Sequence, residues 1–142
     1  MSGMAGSCAA AGLAAIRALR WHGALQEDPR MPEAITGWHA HVYYDPATRE
    51  AAEALRDAIA ARFPAAVLGR WHDRPVGPHP SSMYQVAFAP ALLPGLLPFL
   101  ALHRAGLTVL LHPETGRPRA DHTDHALWMG AILPLDLSVL AD

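Results

Sequence analysis

"TGWHAHVYYDP", residues 36–46, sets His39, His41 and Tyr43 at alternating positions of an apolar run. Alternation sends neighbouring strand residues to opposite faces. One face of this stretch is then Ala40 and Val42, which suits a core. The other carries two imidazoles where Val or Ile would be cheaper to bury. Imidazoles on a covered face suit a divalent metal or a proton transfer near neutral pH. The stretch therefore predicts a strand over 35–44 and a chemical use for its second face.

Working outward, Asp45-Pro46 reads as a helix start, a capping side chain followed by proline. Ala52, Leu55 and Ile59 then recur at helical spacing as far as Phe63, and Pro64 closes the helix. Residues 66–71 read as a second strand, "HDRPVGPHP" (72–80) as a turn-forming connection, and 82–89 as a third strand. A proline-punctuated helix follows, firmest over 96–104, with Gly106 as its C-terminal cap. Residues 107–111 form a fourth strand running into His112-Pro113. Beyond it come a polar loop, "PETGRPRADHTDH" (113–125), and a short strand within 127–133. The order βαββαβ predicts an α+β, ferredoxin-like antiparallel sheet with both helices on one face and a C-terminal extension. The other face is expected to be covered by a second subunit, as a homodimer, or by the chain's own tail.

The same parity applies to the other strands. Leu107, Val109 and Leu111 face the helices, leaving Thr108, Leu110 and His112 opposite. Tyr84, Val86 and Phe88 pack inward, leaving Met83 and Gln85 opposite. In this topology the first strand lies between the third and fourth, so the start of strand one adjoins the end of strand four. His39 and His112 are predicted neighbours. Taken singly, each strand histidine reads as a hydrogen-bonded packing residue. As a set from separate segments, His39, His41 and His112 read as a site. The H-x-H spacing also occurs in cupin metal sites, but those add a nearby Glu that "HAHVYYD" lacks.

Elsewhere, "GPHP" holds His79 between two prolines, which restricts its backbone and also makes a rigid turn. "DHTDH" (121–125) is either a solvated loop or an acid–imidazole pair in which Asp121 or Asp124 orients a histidine. His22 and His103 read as surface residues, and Trp38, Trp71 and Trp128 as core. No G-x-S-x-G or phosphate-loop pattern appears.

The bulk numbers set bounds. A chain of 142 residues suits one domain. A net charge of −2 with scattered Lys and Arg argues against a nucleic-acid partner. The longest apolar run, 92–102, is broken by Pro94, Gly95 and Pro98, and none reaches the roughly 18 residues of a membrane span. The single cysteine, Cys8, excludes an internal disulfide and fits a reducing, cytoplasmic location. Residues 1–30 are Ala- and Gly-rich, with no acid before Glu27. They read as a poorly structured or helical extension, with helix propensity over 9–19, or as an Arg-bearing targeting segment. Residues 31–142 form the expected domain.

"HAHVYYD", "GRWHDRPVGPHPSSMYQVAF", "LTVLLHPETG" and "DHTDHALWMG", in that order, resemble the DOPA 4,5-dioxygenase family over about residues 35–140. The resemblance implies extradiol cleavage of DOPA or a related catechol by O2 and non-haem Fe(II), with zinc or another divalent metal able to occupy the site in a purified sample. The family's histidine motifs fall on His39, His41, His79, His112 and His122. On that footing His39 and His112 are expected to ligate the metal, with His41 or His79 as a further ligand. His79, His122 or His41 would move the catechol protons, and Tyr43 and Gln85 would hydrogen-bond substrate. A catecholate that chelates iron and leaves room for O2 permits about three protein ligands. Many such enzymes use two histidines and a carboxylate, which here would come from Glu114, Asp121 or Asp124, or be replaced by a third histidine. Two other functions compete: a non-catalytic module binding metal or an aromatic ligand, and a metal-dependent hydrolase.

Overall fold

The structure, a computed structural model, describes residues 35–142. The expected helix over 9–19, the targeting alternative, Cys8 and His22 all lie outside the described residues.

Strand β1, Gly37–Tyr43, is central. It pairs antiparallel with β3 (Met83–Phe88) on one side and β4 (Val109–Glu114) on the other. The two-residue β2, Val67–Leu68, edges β3, and β5, Leu127–Met129, edges β4. The sheet order β2-β3-β1-β4-β5 is the ferredoxin-like arrangement with one strand added by the C-terminal extension.

Helices α1 (Arg49–Arg62) and α2 (Leu93–His103) cover one face. Ala52, Leu55 and Ile59 of α1 and Leu96 and Leu100 of α2 pack on Ala40, Val42, Tyr84, Val86, Val109 and Leu111, all buried. These are the residues whose parity turned them inward. Burying a side chain of this size contributes about 1.5–3 kcal/mol. The Tyr84 hydroxyl reaches through the layer to donate to the Ala52 carbonyl, 3.0 Å away.

The other face carries a second apolar cluster. Tyr43, Met83 and Leu110 are its buried members, and Val76, Ala126, Trp128, Leu133 and Leu135 pack against them. Four of those five come from the segment after α3 (Pro118–His122), so the chain's own tail covers this face.

Several local expectations shift. Asp45-Pro46 does not start α1. The Asp45 carboxylate instead accepts from the Thr48 amide at 2.9 Å and from its hydroxyl, closing a turn, and the helix begins at Arg49. The second strand shrinks from 66–71 to Val67–Leu68. Register moves by one residue between the pairs Leu68↔Val86 and His72↔Met83, so a residue bulges out between them. There the Gly69 carbonyl turns to accept from Arg56. Strand β4 runs on through Pro113, which is tolerated because β5 pairs only with Val109–Leu111 and leaves that edge open. Helix α2 ends in left-handed turns at both Ala105 (φ 50°) and the expected Gly106 (φ 79°). The polar loop holds α3, started by Pro118 at a position where its missing N–H is not needed.

Candidate metal and proton-transfer site

The face beneath the tail is where the histidines converge. His39 and His112 are register partners across β1 and β4, with ring centroids 5.3 Å apart. Two residues along β1, His41 brings its Nε2 within 3.1 Å of His112 Nε2. From the 72–80 connection, His79 lies against His41, centroids 4.1 Å apart. From α3, His122 lies against His112 at 4.0 Å. Two strands, a loop and a short helix thus contribute to one pocket. His41, His79 and His112 are buried, and His39 and His122 are partly so.

Two overlapping triads, His39–His41–His112 and His41–His79–His122, each have nitrogens within 4.8 Å of one another. A cation bound at about 2.1 Å from each nitrogen holds its ligand atoms roughly 3–3.5 Å apart. The His41–His112 separation already meets that spacing.

Hydrogen bonds fix which nitrogens are free. His112 Nδ1–H donates to the Pro113 carbonyl at 2.9 Å, and His122 Nδ1–H to the Pro118 carbonyl at 2.8 Å. Each therefore keeps an Nε2 lone pair. The Tyr43 hydroxyl lies 2.6 Å from His79 Nδ1, its one hydrogen-bond partner among the described residues. Burial raises the phenol above its ordinary range, so Tyr43 keeps its proton and donates it to Nδ1. His79 then carries its own proton on Nε2. His39 Nε2 donates to Glu114 Oε1 at 3.2 Å. The one buried side-chain polar atom left unpartnered among the described residues is His41 Nδ1.

Burial favours the neutral form of His39, His41, His79 and His112. It drives His79 and His112 down to about 4, helped by neighbouring histidines. His41 is held well below its ordinary value, by burial first and by His79 and His112 next. For His39 burial outweighs the pull of Glu114, and the net direction is also down. Neutral imidazoles packed together, with one nitrogen orphaned, make a costly way to fill a core. They are the donor set a divalent cation requires, so the residues present fit a metal.

The carboxylates divide. Asp121 is buried, and its oxygens accept from the Thr115 amide (2.9 Å), the Thr115 hydroxyl (2.6 Å) and His125 Nδ1 (3.0 Å). Burial pushes this carboxyl up, but the bonds from Thr115 win and hold it below the usual range. Asp121 is thus a spent acceptor that braces the loop, the acid–imidazole pair left open by the sequence, with His125 as its partner. Asp124 is exposed. Glu114 touches the cluster only through His39, and neither triad includes a carboxylate.

Gln85 sits opposite His41 in the β1–β3 register and makes no side-chain hydrogen bond to the histidines among the described residues. His103 is exposed against Phe99. Trp38 and Trp71 pack, as expected, on the helix-side core, and the core expectation also holds for Trp128, which packs on the apolar cluster of the other face. It stacks on Tyr43 at 6.0 Å beneath the tail and lines a cavity beside His122. Sequence reasoning passed over Thr115, and read Trp128 as core without its place beside His122. A Thr beside a glycine turn, and a Trp in a short edge strand, carry no pattern that marks a site.

A ferredoxin-like sheet with imidazoles from several segments beneath its tail defines a small α+β protein built around a metal-competent histidine pocket. Comparison with known proteins gives the rest. The family model described as the Dopa 4,5-dioxygenase family matches residues 38–139, and the chain belongs to that family. It is 32% identical over 114 residues to the DOPA 4,5-dioxygenase of Amanita muscaria, covering 75% of this chain and 50% of that protein. It is 35% identical over 111 residues to an uncharacterized 21.2 kDa protein of Botryotinia fuckeliana, covering 70% of this chain and 61% of that one. The chain thus spans between half and two thirds of the length of these relatives. A proposed dioxygenase from Nostoc punctiforme, known from its crystal structure, is 50% identical with a TM-score of 0.72, covering 74% of this chain and 90% of that one.

Proposed function

We propose that the protein is an extradiol ring-cleaving dioxygenase acting on a catechol with O2 and non-haem Fe(II). The observation that carries this reading is the His41–His112 contact of 3.1 Å within a buried pocket of neutral imidazoles, in a chain of this family. His39, His41 and His112 are the proposed metal ligands. An all-histidine set leaves positions free for both catechol oxygens and O2. Iron bound there supplies the redox centre at which the ring C–C bond beside the diol is cleaved and both atoms of O2 enter the product.

The chain's own residues handle the protons. His122, with a free lone pair on Nε2, accepts a catechol proton. His79, its Nδ1 engaged by Tyr43, keeps its proton on Nε2 and would present it as a hydrogen-bond donor, while His122 would return the proton it took from the catechol. Tyr43 acts through His79 and sets its tautomer. Gln85, opposite His41, is the proposed hydrogen-bonding residue for substrate. Asp121 and Thr115 keep His125 and the α3 loop in register with β4.

Among the described residues no helix is long and apolar enough to cross a membrane. With the tail already over the open face, the proposed homodimer would use another surface, and sedimentation equilibrium tests it.

Anaerobic reconstitution with Fe(II), followed by oxygen-electrode measurements on a panel of catechols, tests the reaction. The expected result is O2 uptake matched by a yellow semialdehyde absorbance. Metal binding without O2 uptake for any catechol would leave the non-catalytic binding module, and anaerobic turnover of an ester or amide would leave a hydrolase.

A further inference from the structure

His122 belongs to two places at once. It closes one histidine triad, and it also lines a cavity of about 380 Å³ whose other walls are Ala126, Trp128, Ile132, Leu133, Leu135 and Leu137. Thr123 is the remaining polar contributor, and among the described residues no Asp, Glu, Lys or Arg lines the space. Of the charged groups that flank it in sequence, two are engaged elsewhere. The Asp121 carboxylate is taken by Thr115 and His125, and the Asp136 carboxylate by the Ser138 amide and hydroxyl. A neighbouring cavity of about 300 Å³ holds Asp45 and Ser81, but none of its lining residues is a histidine.

We propose that the cavity beside His122 receives the ring substituent of the substrate and selects catechols with an uncharged, apolar side chain over zwitterionic ones. The proposal rests on the ring-cleaving reading above and names the substrate class for that site. A catechol whose ring reaches the histidines extends its substituent past His122, between the Trp128 ring and the leucines. An alkyl chain gains there by leaving water, by about fourfold for each methylene buried. An amino-acid side chain would bring an ammonium and a carboxylate to walls that offer neither a counter-charge nor enough hydrogen bonds, and desolvation opposes its entry.

The test compares 4-propylcatechol with L-DOPA, which share the ring and the length of the substituent. Binding to the metal-loaded protein is measured by calorimetry without O2, and turnover by the oxygen electrode. The expected result is tighter binding and higher kcat/KM for 4-propylcatechol, by about tenfold or more. Ile132 is 78% exposed, so Ile132→Arg leaves the fold intact while placing a cation at the cavity. It is expected to narrow the preference by weakening 4-propylcatechol and strengthening L-DOPA. Equal or tighter binding of L-DOPA to the unmodified protein overturns the proposal, and does so even if ring cleavage is confirmed. Should neither catechol consume O2, the ring-cleaving reading falls, and the calorimetric order still decides the subsite.

Discussion

His112 sits where the most constraints meet. Its Nδ1 is tied to the Pro113 carbonyl, its Nε2 faces His41, and its ring lies against both His39 and His122. His112→Ala and His39→Ala are each expected to abolish iron retention, measured by metal analysis after desalting, while circular dichroism stays native. Wild-type iron content in either variant would remove that residue from the ligand set. The imidazoles also set a pH dependence. His79 and His112 have folded pKa values near 4 against the ordinary 6.5, so between those values the unfolded chain binds protons that the folded one refuses. Stability of the metal-free protein therefore falls as pH drops through that window, by roughly 1 kcal/mol per pH unit for each histidine, and levels off below it. Urea midpoints at pH 7 and pH 5 check this. A flat profile would mean the rings are protonated or solvated in the folded state.

At the level of elements, sequence legibility followed periodicity. The alternation in "WHAHVYY" separated the two faces of β1 because Ala40 and Val42 share one parity with Trp38 and Tyr44, and both histidines share the other with Tyr43. The same parity put His112 on the face of His39 and His41, and the register pairs bear it out. What sequence could not show depended on tertiary partners. The bulge after Leu68 accompanies the turning of the Gly69 carbonyl to Arg56, and α1 starts late because Asp45 finds Thr48. His122 and His125 lie in a loop without period, so their placement rests on the Pro118 carbonyl and on Asp121. The end of α2 offers a direct check. Ala105 holds φ at 50°, a region costing an L-residue about 1 kcal/mol or more. Ala105→Gly removes that strain at the expense of backbone entropy, and a net stabilisation of about 0.5 kcal/mol is expected from the shift in thermal midpoint.

Across the whole molecule, the tail substitutes for a partner subunit over the histidine face. Leu133 and Leu135 pack on Tyr43, Met83 and Leu110, and the Asp136 amide donates to the Pro78 carbonyl at 2.9 Å, beside His79. Ending the chain after residue 132 removes both the cover and that tether. It is expected to cost about 2–4 kcal/mol in denaturant unfolding and to raise binding of a hydrophobic dye. Unchanged stability would show that the tail only rests on the sheet. The Asp136–Pro78 tether also bears on biogenesis. A chain emerging from the ribosome can pair β1, β3 and β4 early, with Tyr43 and the His72–Met83 bridge holding the loop that bears His79 on one side, but its other side is fastened only once residue 136 has cleared the exit tunnel. The side of the pocket that His79 forms would then mature after the strands carrying His39, His41 and His112 have paired.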